Sequence, residues 1–325
     1  MSNNHDQQYT DVLTDIELPL ANRRVGKVRV SYELPNGQRL FVTTDRLSAF
    51  DQIMATVPMK GQVLNQLAKW WFDNTRDIVA NHALSMPDPN VLIAIAAQPL
   101  PVEVIVRGYI TGVTSTSLWK RYEDGARDIY GYAFPDGLKK NQQLPAAIVT
   151  PTTKAEMGQH DEALTCDQVV DQGLVEPELW AEVQRVALAL FARGQQVAQR
   201  AGLILADTKY EFGLDSQGKL LLIDEMHTPD SSRFWDAESF PERFANGLEP
   251  ISMDKEIIRR ALADAGYKGD GPPPQLDESV WLETSKRYTS AYEVLTGQKF
   301  VPGERPITER IKRNLQGVMG LWVHK

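Results

Sequence analysis

The stretch DTKYEFGLDSQGKLLLIDEMHTPDSSRFWD, Asp207 to Asp236, concentrates carboxylates, two lysines and a Ser-Ser-Arg run in a short length of chain. Leu203 to Phe212 and Lys219 to Glu225 read as two strands, with Asp215-Ser216-Gln217-Gly218 as the polar, glycine-containing turn of a hairpin. If Leu214 pairs with Lys219, Lys209 falls opposite Asp224, and alternation puts Asp207, Lys209, Glu211 and Asp224 on one face. Three carboxylates and one ammonium on one face repel and desolvate one another unless something binds there. Hard carboxylate oxygens suit Mg²⁺, which keeps waters and phosphate oxygens as its other ligands, and a lysine neutralises phosphate. The chemistry open to such a face is that of a divalent metal with a nucleoside triphosphate. A solvated face with ordinary salt bridges accounts for the same charges. Just downstream, Ser231, Ser232 and Arg233 leave the second strand in an irregular segment suited to hold an anion.

Other elements must position this hairpin. A helix over Glu176 to Ala201, with Leu179, Val183, Val186, Ala187, Leu190 and Val197 on one stripe and Gly202 as its stop, feeds directly into it. Upstream, two strand-like runs flank Pro35-Asn36-Gly37, which predicts another hairpin, with Gly26, Lys27 and Arg29 at its start. Asp45-Arg46-Leu47-Ser48-Ala49-Phe50-Asp51 reads as a turn with a local ion pair. A helix follows over Gln62 to Val79. Two apolar runs, Val91 to Ala97 and Val102 to Val106, are separated by Gln98-Pro99-Leu100-Pro101, a stiff crossing that predicts a domain boundary there. Beyond Trp235 the pattern is helical: Met253 to Ala265, Glu278 to Leu295 and Pro306 to Gly317.

At 325 residues the chain is long enough for a sizeable core. A net charge of −8 disfavours a general nucleic-acid or membrane-surface binder. The single cysteine, Cys166, excludes an intrachain disulfide and a multi-thiolate metal site. With no apolar run approaching a membrane span and no signal-like start, the sequence reads as cytoplasmic.

DTKYEFG and LIDEMHTPDSSRFW, with upstream GKVR and DRLSAFD, resemble the SAICAR synthetase (phosphoribosylaminoimidazole-succinocarboxamide synthase) family from about Val25 to Gly297. The resemblance implies a two-lobed α+β fold. Residues 1–98 would form an antiparallel β lobe with a kinase-like ATP cleft, and 99–325 a larger α+β lobe with the substrate and metal site and a helical tail. It further implies an ATP-dependent ligation of carboxyaminoimidazole ribonucleotide (CAIR) with L-aspartate through an acyl phosphate, using ATP and Mg²⁺. Gly26, Lys27 and Arg29 would cover the ATP phosphates, and the backbone of Gln98 to Leu100 would read adenine. Lys209 would act catalytically, Glu211 and Asp224 would bind the metal, and Asp207 would bind it through water or orient Lys209. Arg107, Ser117, Ser232 and Arg233 would hold the ribotide phosphate, with Ser115 the alternative to Ser117. Ser48 and Asp51 would line the substrate wall. The block from Thr150 to Glu156, leading to His160-Asp161-Glu162, also resembles the family, with a hydrogen-bonding role expected for His160. A small-molecule kinase with the same lobe plan is the rival reading, and a nucleotide-binding regulator without chemistry is another. The absence of HRD and DFG strings speaks against a protein kinase, and the intact Lys209, Glu211 and Asp224 speak against decay.

Overall fold

The computed structural model describes residues 10–49, 52–154, 161–267 and 271–319. Its first part runs β1 (Ala21–Val25), β2 (Arg29–Leu34), β3 (Gln38–Thr43), β4 (Arg46–Ala49), β5 (Gln52–Thr56), α1 (Lys60–Asp73), β6 (Ala83–Asp88) and β7 (Val91–Ile95). The antiparallel sheet has the order β1-β2-β3-β7-β6, with β4 and β5 as a separate pair. The β2–β3 hairpin forms as its sequence predicts: Leu34 pairs with Gln38 across a three-residue loop, Pro35-Asn36-Gly37, in which Asn36 and Gly37 both adopt positive φ, 61° and 67°. The DRLSAFD segment is not the expected turn with an ion pair. Its described part begins the strand β4, and Asp45 spends its carboxylate on the backbone N–H groups of Leu13 and Gly61, each at 2.8 Å. Burial nevertheless raises the Asp45 carboxyl to about 6 against those two bonds.

The second part runs β8 (Gln98–Pro99), β9 (Val102–Ile110), α2 (Leu118–Glu123), β10 (Asp128–Ile129), β11 (Tyr132–Ala133), β12 (Gln142–Thr153), α3 (Cys166–Asp171), α4 (Pro177–Arg200), β13 (Leu203–Leu214), β14 (Leu220–Ile223) and β15 (Ser232–Asp236). Four helices close it: α5 (Phe240–Ala245), α6 (Glu256–Asp264), α7 (Glu278–Thr296) and α8 (Ile307–Met319). The sheet order is β12-β9-β13-β14, and β15 and β8 also pair with β13. Strand β13 is therefore the spine. Behind it, α4 buries Trp180, Val183, Val186, Ala187, Leu190, Phe191 and Ala198. Gly194 on the same face admits no side chain, since a Cβ there would sit 2.3 Å from His227 Cε1.

The β13–β14 register differs by one residue from the expected one. Leu214 pairs with Leu220, because Asp215 N–H bonds Lys219 O at 3.0 Å and Asp215 Oδ1 accepts from Gln217 N and Lys219 N at 2.8 and 2.9 Å. That leaves a three-residue loop, Ser216-Gln217-Gly218, with Gly218 at φ 77°. Ile223, and not Asp224, is then the last paired residue, opposite Glu211.

Helix α8 returns to the first sheet. Ile307, Ile311 and Leu315, four residues apart, bury against Val30, Tyr32, Leu40, Val42 and Val91. Helix α8 thus packs on the first sheet although it lies far beyond residue 98. Its fastening is Arg310, 3% exposed, whose Nε and Nη2 bond the Asp88 carboxylate at 2.9 and 3.1 Å. Among the described residues no helix is long and apolar enough to cross a membrane.

Arg310→Ala leaves Asp88 buried without its cation, and such a loss typically costs about 3–5 kcal/mol. The variant is expected to unfold at markedly lower urea concentration with its first lobe loosened. An unchanged midpoint would show that α8 is not fastened by this pair.

Candidate active site

Two clefts lie along the charged face of β13. The first, about 200 Å³, opens between the sheets. Its apolar lining includes Phe41, Ala68, Leu92, Ile95, Ala96, Ala97, Pro99 and Ile223, and its charged lining includes Arg29, Lys154, Glu211 and Asp224. His82 lines it as a neutral ring: burial, with Arg29 nearby, depresses its pKa to about 3. Asp224 reaches this cleft by leaving β14 in a left-handed conformation, φ 67°, which re-aims a side chain that strand alternation would have turned away. There it accepts a hydrogen bond from Arg29 Nη1, while Arg29 Nη2 lies 3.4 Å from Glu225 Oε2.

The second cleft, about 260 Å³, is lined by polar groups from β9, the loop before α2, β13, β15 and α6. Asp207 is its clamp. In the sheet it pairs laterally with Arg107 on one side and Arg233 on the other. Its Oδ2 accepts from Arg233 Nη1 at 2.6 Å and lies 3.5 Å from Arg107 Nη1. Arg107 also donates to Thr150 Oγ1 at 2.7 Å and to Thr116 O at 3.1 Å. Asp207 therefore touches neither Lys209 nor the first cleft, and the expected choice between metal binding and orienting Lys209 gives way to a clamp on two arginines. Ser117, 1% exposed, lines the cleft and donates to Thr114 O at 2.6 Å, whereas Ser115 is exposed and outside it. Ser232 bonds Thr208 through their hydroxyls at 2.7 Å. Gly112, at φ 97°, lets the loop press in: a Cβ would come within 3.2 Å of Arg233 Nη2.

The clefts are joined by one charged row. Lys209 lines the second and Glu211 the first, and Lys209 Nζ lies 2.6 Å from Glu103 Oε1 and 3.0 Å from Glu211 Oε1. The other Glu211 oxygen accepts from Lys154. Burial acts to raise the Glu211 carboxyl, but Lys209 and Lys154 more than reverse it and hold it at about 2. Burial likewise acts to lower Lys209, and Glu211 and Glu103 override it, so Lys209 stays an ammonium.

Of the remaining sequence candidates, Gly26 and Lys27 form the β1–β2 turn, closed by Gly26 N–H to Arg29 O at 2.8 Å, and only Arg29 reaches the cleft wall. The first cleft meets the interlobe crossing at Ala96, Ala97 and Pro99, while the Leu100 N–H is already bonded to Phe212 O at 2.8 Å and Gln98 pairs with Leu214. Ser48 sits half-buried on β4 and lines neither cleft. Asp51 and His160 lie outside the described residues. Sequence reading missed Glu103, Lys154, Asp230, Lys255 and Arg259 as lining residues. Lys154 and Asp230 lie within strings that resemble the family but by themselves assign them no role, while Glu103, Lys255 and Arg259 are ordinary charges in their local strings. Cys166 is half-buried with its thiol pushed up to about 11 by burial, as expected of an inert cysteine.

A sequence profile of SAICAR synthetase matches residues 22–274. A putative phosphoribosylaminoimidazole-succinocarboxamide synthase 2 of Agrobacterium fabrum is 49% identical over 309 residues, covering 94% of this chain and 98% of that protein. A phosphoribosylaminoimidazole-succinocarboxamide synthase of Legionella pneumophila is 48% identical over 314 residues, covering 95% and 99%. The solved SAICAR synthase of Saccharomyces cerevisiae complexed with SAICAR superposes with a TM-score of 0.76 at 34% identity, covering 89% of this chain and all of that one.

A carboxyl depressed from 4.5 to about 2 contributes stability that is complete above the unfolded value and lost as pH falls toward the folded one. Glu211→Gln should therefore flatten the fall in unfolding free energy between pH 4.5 and 2, measured by urea titrations across that window. An unchanged slope would show that the two lysines do not hold this carboxylate ionised.

Proposed function

The chain belongs to the SAICAR synthetase family, and on that premise we propose how its two clefts divide the family's reaction. That reaction, which this chain carries out as an ATP-dependent C–N ligase of purine biosynthesis, joins CAIR and L-aspartate into SAICAR and releases ADP and phosphate. A kinase reading is not favoured by any relative above.

The first cleft takes ATP, its apolar lining suiting a base and its Arg29, Lys154, Glu211 and Asp224 lining suiting phosphates. The second takes CAIR, with Arg107, Ser117, Ser232 and Arg233 around the ribotide phosphate. The observation that carries this division is the Lys209–Glu211 pair, which sets one residue in each cleft at 3.0 Å.

Carboxylate oxygen is a poor leaving group toward an amine. Transfer of the γ-phosphoryl group to a CAIR carboxylate oxygen makes it a good one, and the aspartate amine then attacks the carbonyl carbon, expels phosphate and loses a proton to give the amide. The protein's share is to position both partners and to spread charge. Lys209 neutralises the oxygens between the clefts, and Asp207 keeps Arg107 and Arg233 aimed at the ribotide phosphate. The donor set fits Mg²⁺: Glu211 and Asp224 line one cleft, both neutralised here by lysine and arginine, as a cation with phosphates would do. When bound, Mg²⁺ supplies charge neutralisation at the transferring phosphoryl group.

Losing a charge-assisted hydrogen bond costs on the order of 1.5–3 kcal/mol, roughly ten- to a hundredfold in binding. Arg233→Ala is therefore expected to raise the KM for CAIR by that factor while the KM for ATP barely moves. Asp224→Asn should do the reverse, cutting turnover and raising the Mg²⁺ requirement with CAIR binding retained. Equal losses for both substrates in each variant would contradict the division between the clefts.

A further inference from the structure

Asp224 and His227 both adopt left-handed backbone conformations, φ 67° and 50°, where the chain leaves β14. Neither is glycine, so each conformation costs energy and persists only where its surroundings over-determine it. Asp224 is held on the cleft side by Arg29. His227 is held on the other side, fully buried in the core behind β13. Tyr210 points the same way, because it stands between Lys209 and Glu211 on β13 and strand alternation turns it from the clefts into the core. Its hydroxyl lies 2.5 Å from His227 Nε2. Trp71 of α1 meets the imidazole edge to face, with ring centroids 4.5 Å apart. Gly194 of α4 leaves the space the ring fills, since a Cβ there would lie 2.8 Å from Nδ1.

Burial keeps both groups neutral, depressing the imidazole to about 3 and raising the phenol well above its usual value. With Tyr210 donating to Nε2, only the Nδ1 N–H lacks a partner, whereas the reverse arrangement strands the phenolic proton as well as the Nδ1 lone pair. We propose that Tyr210 and His227 are positioning residues for the metal-binding acids: their buried hydrogen bond fixes the turn from Asp224 to His227 against β13, so that Asp224 enters the cleft that Glu211 lines. This rests on the assignment of Glu211 and Asp224 to Mg²⁺ above and adds what sets the one acid against the other. Tyr210 immediately precedes Glu211, and His227 is the third residue after Asp224. One bond therefore ties the strand that carries the first acid to the turn that carries the second. Ladder pairing cannot do this, because it ends at Ile223. Nor can Arg29, which neutralises the carboxylate that a cation would take and must yield to it. The anchor behind β13 stays in place in either state.

The test is calorimetric and uses the full chain. ADP is titrated with and without Mg²⁺, and the ratio of the two affinities reads the metal's contribution to binding. Tyr210→Phe deletes one oxygen and keeps the ring. His227→Asn suits the left-handed backbone but falls short of Tyr210, whereas the longer His227→Gln reaches it. The ratio is expected to fall about two- to tenfold in Tyr210→Phe and His227→Asn, the weight of one neutral hydrogen bond, and to recover in His227→Gln. It should fall furthest in Asp224→Asn, with CAIR affinity unchanged in all four variants. A wild-type ratio in Tyr210→Phe and His227→Asn beside a reduced one in Asp224→Asn would overturn the anchor alone. CAIR affinity falling in step with the ratio would overturn it too, since a general loosening of the sheet has that effect. A wild-type ratio in Asp224→Asn would instead overturn the metal assignment, and the anchor's role with it.

Discussion

Lys209 and Glu211, two residues apart on one face of β13, form the ion pair on which the rest of the site depends. Buried charges are costly unless each is matched, and here Glu103, Lys209 and Glu211, with the exposed Lys154 at the end of the row, match one another in sequence as two acids and two ammonium groups. The row fixes the protonation states as well as the positions: the glutamate stays ionised and the lysine stays charged. Removing one member would leave its neighbour as an uncompensated charge inside the sheet. On the proposed reading, the same neutrality lets the row stand between two clefts that each receive an anion.

Strand geometry sets the rest. Asp207, Lys209 and Glu211 share the cleft-facing side of β13, so the arginine clamp and Glu211 are separated by four residues, roughly 13 Å of extended chain. On the proposed reading a ribotide lying along that strand reaches from its phosphate clamp at Arg107 and Arg233 to the Lys209 bridge. The clamp itself is a consequence of sheet order: β9 and β15 flank β13, and the two arginines occupy the positions lateral to Asp207. The packing of α4 against the other face, down to Gly194 under His227, keeps the spine from shifting.

Much of this was legible in the sequence, and the limits have physical causes. Alternation in DTKYEFG placed Asp207, Lys209 and Glu211 on one face, and the structure agrees. The hairpin register came out one residue off, because the Asp215 side chain caps a three-residue loop that a count of turn residues does not reveal. That slip alone would have turned Asp224 away, and its left-handed backbone restores it to the cleft. Amphipathic spacing identified α8 as a helix but carried no information on which lobe it covers. Glu103 and Lys255 come from segments distant in sequence, and nothing local distinguishes them from surface charges, while Lys154 lies in a family-like block that by itself assigns it no role. Gly26, Lys27 and Ser48, suggested by family strings, stand at the edge of the geometry, with Arg29 alone of the first group at the cleft wall.

The shared wall between the clefts has one direct chemical consequence, which the fate of the CAIR carboxylate oxygens reads out. With both oxygens labelled as ¹⁸O, γ-phosphoryl transfer across the Lys209–Glu211 bridge followed by amine attack moves one labelled oxygen into the inorganic phosphate released. Mass spectrometry of phosphate at early turnover should find that label. Unlabelled phosphate from fully labelled CAIR would contradict the arrangement, because ATP would then be hydrolysed without ever meeting the carboxylate.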